Sequence, residues 1–114
     1  KPIVTLNYTY VILKNDLLIC LDNINGNVIW SKNIFTNKKF KKIKNKFNSV
    51  IDFKIVNSEI NIYFKNGYLL SLNPSNGKFN LLSRISKKGI TSEIVFLDDN
   101  MLFFDRNNKL LKFN

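Results

Sequence analysis

The chain has 114 residues, enough for one ordinary domain or for part of a larger one. It carries 18 Lys and Arg against 8 Asp and Glu, a net charge of +10, yet only Arg84 and Arg106 are arginines. There is no histidine, which removes the commonest general base and transition-metal ligand, and the lone Cys20 excludes an intramolecular disulfide.

No apolar run approaches the ~18 residues of a membrane-spanning helix. Lys, Asn and Ile together make 49 of the 114 residues, a bias that reads as AT-rich coding as much as selection for charge. Base readers lean on Arg, Asn and Gln presented by a helix or ribbon. No such element is evident, so no nucleic-acid partner is expected.

In chain order, residues 3–6 and 9–13 read as strands rich in β-branched and aromatic side chains. A turn at 14–16 leads to a third strand, 17–21, whose unbroken apolar run predicts burial on both faces and places Cys20 in the core. Asp22-Asn23-Ile24-Asn25-Gly26 turns the chain, with Asn-Gly read as a hairpin signal because both residues tolerate φ > 0. A fourth strand follows over 27–33 and carries Trp30.

The pattern then recurs. Lys14, Asn15, Leu18, Leu21, Asn25 and Gly26 meet identical residues at Lys65, Asn66, Leu69, Leu72, Asn76 and Gly77, an ungapped step of 51. Strands are expected at 49–56, 60–64, 68–72 and 78–85, with 86–92 as a linker. A third unit reads as strands over 94–97, 101–104 and 109–113. Its step from the second unit is 41, and its turn at 105–108 reads one residue longer than its counterpart. The extra residues of the first interval fall in the stretch 36–48.

Successive four-stranded antiparallel units of about 40 residues predict an all-β fold, a β-propeller of about two and three-quarter blades. The expected organisation is a blade over 1–35, a basic insert over 36–48, a second blade over 49–85, a linker over 86–92 and an incomplete blade over 93–114. The chain starts Lys1-Pro2-Ile3 without Met and stops after a third strand. It is therefore expected to be a C-terminal excerpt whose partners include the remainder of its own propeller, one strand of the last blade coming from the N-terminal part.

The insert is the strongest local anomaly. Lys38, Lys39, Lys41, Lys42, Lys44 and Lys46 fall within nine positions, and Phe40, Ile43 and Phe47 would line one side of a short helix. One reading is a contact with an anionic membrane surface or an acidic partner. The other is a solvated connection pinned to the blade by its aromatics. The acids Asp16, Asp22, Asp52, Glu59, Glu93, Asp98, Asp99 and Asp105 lie mostly in turns, where Asp bonds its own backbone. Asp98-Asp99-Asn100 lacks the ligand spacing of a calcium loop, so no metal site is expected. No Asn-Gly pair opens a phosphate loop.

The run Leu21, Asp22, Gly26, Val28 and Trp30 resembles the repeat of the pyrroloquinoline-quinone-type propeller family. The second copy keeps Leu72 and Gly77 but has Asn73 for the Asp and Leu81 for the Trp. The resemblance implies that Trp30 docks between neighbouring blades rather than on a binding surface. It also implies one of two roles. Quinone-dependent dehydrogenases of the family need a quinone seat with calcium, a catalytic carboxylate and stacking aromatics, and no residue here matches that motif. The BamB-like branch is non-enzymatic and supports assembly of outer-membrane β-barrels. The expected role is accordingly a cofactor-free scaffold for protein partners, among them the barrel-assembly machinery, in the periplasm or at the outer membrane. The alternatives are a divergent quinoprotein and an anionic membrane-surface module.

Overall fold

The computed structural model describes residues 2–14, 16–35 and 50–113. Every regular element among them is a strand. The first sheet pairs β1 (Ile3–Val4), β2 (Tyr8–Ile12), β3 (Leu17–Asp22) and β4 (Val28–Asn33) in chain order. The second pairs β5 (Val50–Val56), β6 (Glu59–Phe64), β7 (Tyr68–Leu72) and β8 (Phe79–Arg84) the same way. The third holds β9 (Val95–Leu97), β10 (Asn100–Phe104) and β11 (Leu110–Phe113). All pairings are antiparallel. Three sheets of 4, 4 and 3 strands, each a meander of sequential neighbours, are the blades of a β-propeller.

Two cores lie between the three sheets. Tyr10, Leu18, Cys20, Ile34 and Phe35 of the first sheet and its exit meet Ile60, Ile62, Phe64, Leu70 and Leu72 of the second. Tyr63 of the second sheet meets Ile90, Ile94 and Phe103 of the third and its approach. Side chains alternate along a strand, so β6 sends Ile60, Ile62 and Phe64 one way and Tyr63 the other. The middle sheet is thus covered on both faces. The polar residues of its second face pair among themselves: Ser71 Oγ donates to Asn61 Oδ1 (2.8 Å), and Asn61 Nδ2 donates to the Tyr63 hydroxyl (3.3 Å).

Three local expectations change. Within the described residues the run 17–21 is buried on the face that meets the second sheet, at Leu18 and Cys20, and half-buried on the other, at Leu17, Ile19 and Leu21. The Asn-Gly pairs do close hairpins, but not with both residues at positive φ. Only the glycines take positive φ (Gly26 +73°, Gly77 +72°), and each closes a wider loop by donating its N–H to Asp22 or Asn73 (2.8 Å each). Asn25 and Asn76 instead turn their side-chain oxygens onto the N–H of Asn27 and Lys78. A register shift at Cys20/Leu21, and again at Ser71/Leu72, makes room for the extra length. The two-residue turns with both φ positive occur at Asn57-Ser58 and Asp98-Asp99.

The third change concerns length. Asp16 donates its N–H to Leu13, Gly67 to Phe64 and Asn108 to Asp105, so the β2–β3, β6–β7 and β10–β11 turns share one geometry and one length. The expected extra residue in the last is absent. Each turn places its donor at positive φ, at +64°, +90° and +58°. Only the middle one needs glycine: a Cβ on Gly67 would run into the Ser86 carbonyl oxygen, where the linker folds back over it.

Candidate functional site

The seat of Trp30 joins the first sheet to the second. Its strand, β4, ends the first sheet, and the side chain crosses to the β7–β8 turn of the second. There Nε1 donates to the Pro74 carbonyl (2.8 Å). A Cβ on Gly77 would lie 2.6 Å from Cε3 and 2.7 Å from Cζ3, so the six-membered ring rests on the bare glycine backbone. Tyr10 stands beside it with ring centroids 6.2 Å apart. Lys32 reaches across the same junction to within 5.0 Å of the Phe79 ring centre. Trp30 is half-buried, packed on the first core rather than enclosed by it.

Trp30, Gly77 and Leu72 are thus brought together from two copies of the repeat. Leu21, Asp22, Gly26 and Val28 form the matching turn of the first sheet, away from that seat. Asp22 builds the turn: its N–H donates to Asn27, its carbonyl takes Gly26 N–H, and Oδ1 takes Ile24 N–H at 2.7 Å. Asn73 does the same work in the second copy, accepting Ser75 N–H at 2.8 Å. The Asp-to-Asn change between copies is therefore neutral to the turn, since both supply the needed side-chain oxygen. Gly26 has open space where Gly77 has an indole. The six lysines from Lys38 to Lys46 lie outside the described residues.

A second feature was not singled out from sequence. Asp52, on β5, accepts Phe53 N–H with Oδ1 (2.8 Å) and Ile94 N–H with Oδ2 (2.9 Å). It ties the edge strand of the second sheet to the approach of the third, with Lys54 Nζ at 3.7 Å. The only available signal was a single acid inside the apolar run Val50–Val56. Asp52 borders a cavity of about 750 Å³ between β1 and β5, which Glu93 also lines. Both Asp52 oxygens are occupied by backbone donors, and the described walls hold one aromatic, Phe53. That donor set does not fit a quinone seat with calcium. Among the described residues no three His, Cys, Asp or Glu side chains converge as metal ligands.

Burial raises the pKa of Cys20 and of Tyr10, whose side chains hydrogen-bond each other, and of Tyr63 in the second core. All three groups are held in their neutral forms, which suits packing rather than nucleophilic chemistry.

No protein-family model matches the chain, and no curated protein does. Solved structures do. The chain is similar to BamB from Moraxella catarrhalis, with a TM-score of 0.67, 9% identity, and cover of 98% of this chain and 30% of that one. It is similar to the computationally designed Ika4 protein, with a TM-score of 0.66, 7% identity, and cover of 98% and 62%. It is similar to the quinohemoprotein alcohol dehydrogenase from Comamonas testosteroni, with a TM-score of 0.62, 14% identity, and cover of 99% and 20%. At these identities the likeness establishes the propeller fold that these proteins share. The chain spans less than two thirds of each.

Proposed function

We propose that the chain is part of a non-enzymatic β-propeller scaffold for protein–protein interaction, with a BamB-like role in outer-membrane protein assembly at the periplasmic side of that membrane. The observation carrying this reading is how carboxylates in the turns and at the second junction are used. Asp22, Asp52 and Asp105 each give carboxylate oxygens to backbone N–H groups. Side chains that cap turns and tie sheets build a frame and leave little for acid–base work. The similarity to BamB supports the scaffold branch by analogy of fold.

The reading is tested in the source cell. A photo-reactive amino acid at Asn107 or Ser75, both exposed turn positions, is used to cross-link neighbours, which are identified by mass spectrometry. The expected products are components of the barrel-assembly machinery. Their absence, together with saturable binding of pyrroloquinoline quinone and calcium by the protein, would replace the scaffold with the dehydrogenase branch.

A further inference from the structure

Antiparallel strands in chain order put their turns alternately at two ends of each blade. One end holds the β2–β3, β6–β7 and β10–β11 turns and the exit of β8 into the linker. Among the described residues this end exposes Lys14, Lys65 and Lys109 on its turns, and Arg84, Lys87, Lys88 and Arg106 around the linker. Its acids are Asp16, Asp52, Glu93 and Asp105; Asp52 gives its oxygens to the N–H groups of Phe53 and Ile94, and Asp105 is buried with Oδ1 on those of Asn107 and Lys109. The opposite end carries Asp22, Glu59, Asp98 and Asp99 against Lys78. The net positive charge is therefore polarised, with cations gathered at the linker end.

That end is also braced. The chain has two arginines among its 18 basic residues, and both grip the linker. Arg84 Nη2 donates to the Lys87 carbonyl (3.1 Å) while its guanidinium lies 5.6 Å from the Tyr68 ring centre. Arg106 donates to the Lys88 carbonyl with both Nε (2.8 Å) and its backbone N–H (3.1 Å). Ile90 N–H donates to the Lys65 carbonyl (3.1 Å) and closes the loop from below. A planar guanidinium can hold a carbonyl with one edge and keep its charge at the surface with the other, which a lysine ammonium does less well. The backbone at Lys87 and Lys88 is thus fixed while both side chains project into solvent.

We propose that this end docks on an anionic phospholipid surface, with Lys87 and Lys88 as the contact pair and Arg84 and Arg106 as their supports. The described cations sit on turn tips contributed by three sheets, a spread that suits an extended charged surface. Exposed Leu13, Phe104 and Leu110 stand among them at the same end. Basic residues interleaved with a few exposed apolar side chains suit a charged bilayer face, where charge draws the protein in and short apolar groups enter the headgroup layer. The inference uses residues distinct from those in the scaffold reading and stands without it.

The test is co-sedimentation of the 114-residue chain with vesicles. Vesicles of phosphatidylcholine containing phosphatidylglycerol are compared with vesicles of phosphatidylcholine alone. Binding is expected to the anionic vesicles only, and to fall as salt rises. Each basic residue near such a surface contributes about fivefold in partitioning, so Lys87→Gln with Lys88→Gln should weaken binding roughly 25-fold. Lys87→Arg with Lys88→Arg should retain it. Far-UV circular dichroism should show both double variants folded, since neither side chain is buried. Equal binding to neutral vesicles would overturn the proposal, as would an unaffected Gln variant. Competition by inorganic phosphate at low concentration would point to a discrete anion pocket, and tighter binding to polyglutamate than to the vesicles would point to an acidic protein. Either result also overturns it.

Discussion

Gly26 and Gly77 offer a matched experiment inside one molecule. They occupy the same place in equivalent turns, with φ of +73° and +72°. Replacing either with Ala puts an L side chain in the left-handed region, at about 1–2 kcal/mol. At Gly26 the new methyl meets nothing within 4 Å, so that is the whole expected cost. At Gly77 it would lie 2.6 Å from Trp30 Cε3, about 1 Å inside an ordinary carbon–carbon contact. The indole must retreat, and its 2.8 Å bond to the Pro74 carbonyl stretches or breaks. Overpacking of this kind adds roughly 1–3 kcal/mol. Gly77→Ala should thus lower stability by that much more than Gly26→Ala. Urea unfolding followed by circular dichroism measures the difference, and the fluorescence of Trp30, the sole tryptophan, reports its displaced ring. In a Trp30→Leu background the difference should shrink below about 0.5 kcal/mol, because the two positions couple only through the indole. Equal costs in the parent chain, or an undiminished difference without the indole, would refute the account of the seat.

Three further outcomes are expected. Gly67→Ala directs its methyl at the Ser86 carbonyl oxygen, an unyielding backbone atom, and should cost more than about 3 kcal/mol; Asn108→Ala, at the equivalent turn, should cost far less in the same unfolding assay. Asp52→Ala removes the carboxylate acceptors of the Phe53 and Ile94 N–H groups and should lower stability by about 2 kcal/mol, with the Ile94 amide losing protection in hydrogen exchange. Tyr10 and Tyr63 have folded pKa values raised above the ordinary 10.0 by burial, so the folded state holds protons that the unfolded state has released. Stability is then fully present below pH 10 and falls as pH climbs through the folded values, with phenolate absorbance appearing at higher pH in the folded than in the urea-unfolded protein. A normal, coincident titration in both states would contradict it.

Much of this architecture is legible from residue order alone, because a blade is a local object. Each strand pairs with its sequence neighbour, so apolar runs separated by Asn, Gly and Asp turns suffice to place β7 at Tyr68–Leu72 and the other strands within a few residues. The repeat of Lys14–Trp30 at a step of 51 adds that units stack. What escapes such reading is whatever depends on how they stack. Ile60 and Tyr63 lie on one apolar strand, yet Ile60 enters the first core and Tyr63 the second, and only the placing of the neighbouring sheets decides what each meets. Asn57-Ser58 and Asp98-Asp99 form the tight primed turns although neither contains glycine, while Asn-Gly serves a wider loop with a bulge; flanking register selects the turn. Asp52 and Pro74 act through Ile94 and Trp30, residues 42 and 44 positions away, and nothing in their immediate neighbours announces it.

The separation of the two cores has a consequence for how the chain comes apart. Among the described residues the junction of the first and second sheets encloses ten buried side chains, whereas the second encloses Tyr63, Ile90, Ile94 and Phe103, with Ile51, Leu69, Ile85, Met101 and Leu111 half-buried beside them. In stacked repeats stability approximates a sum of unit and nearest-neighbour terms, so the weaker junction opens first. Phe103 is buried against that junction, and Phe103→Ala should cost about 3–5 kcal/mol there. If the terms are separable, amides of β10 and β11 will exchange rapidly in this variant while those of β3 and β7 keep nearly the parent protection. Leu18→Ala, in the first core, should do the reverse for β3. A single uniform loss of protection across all three sheets in both variants would mean that the blades unfold as one body, and that the middle sheet transmits strain between its faces instead of insulating them.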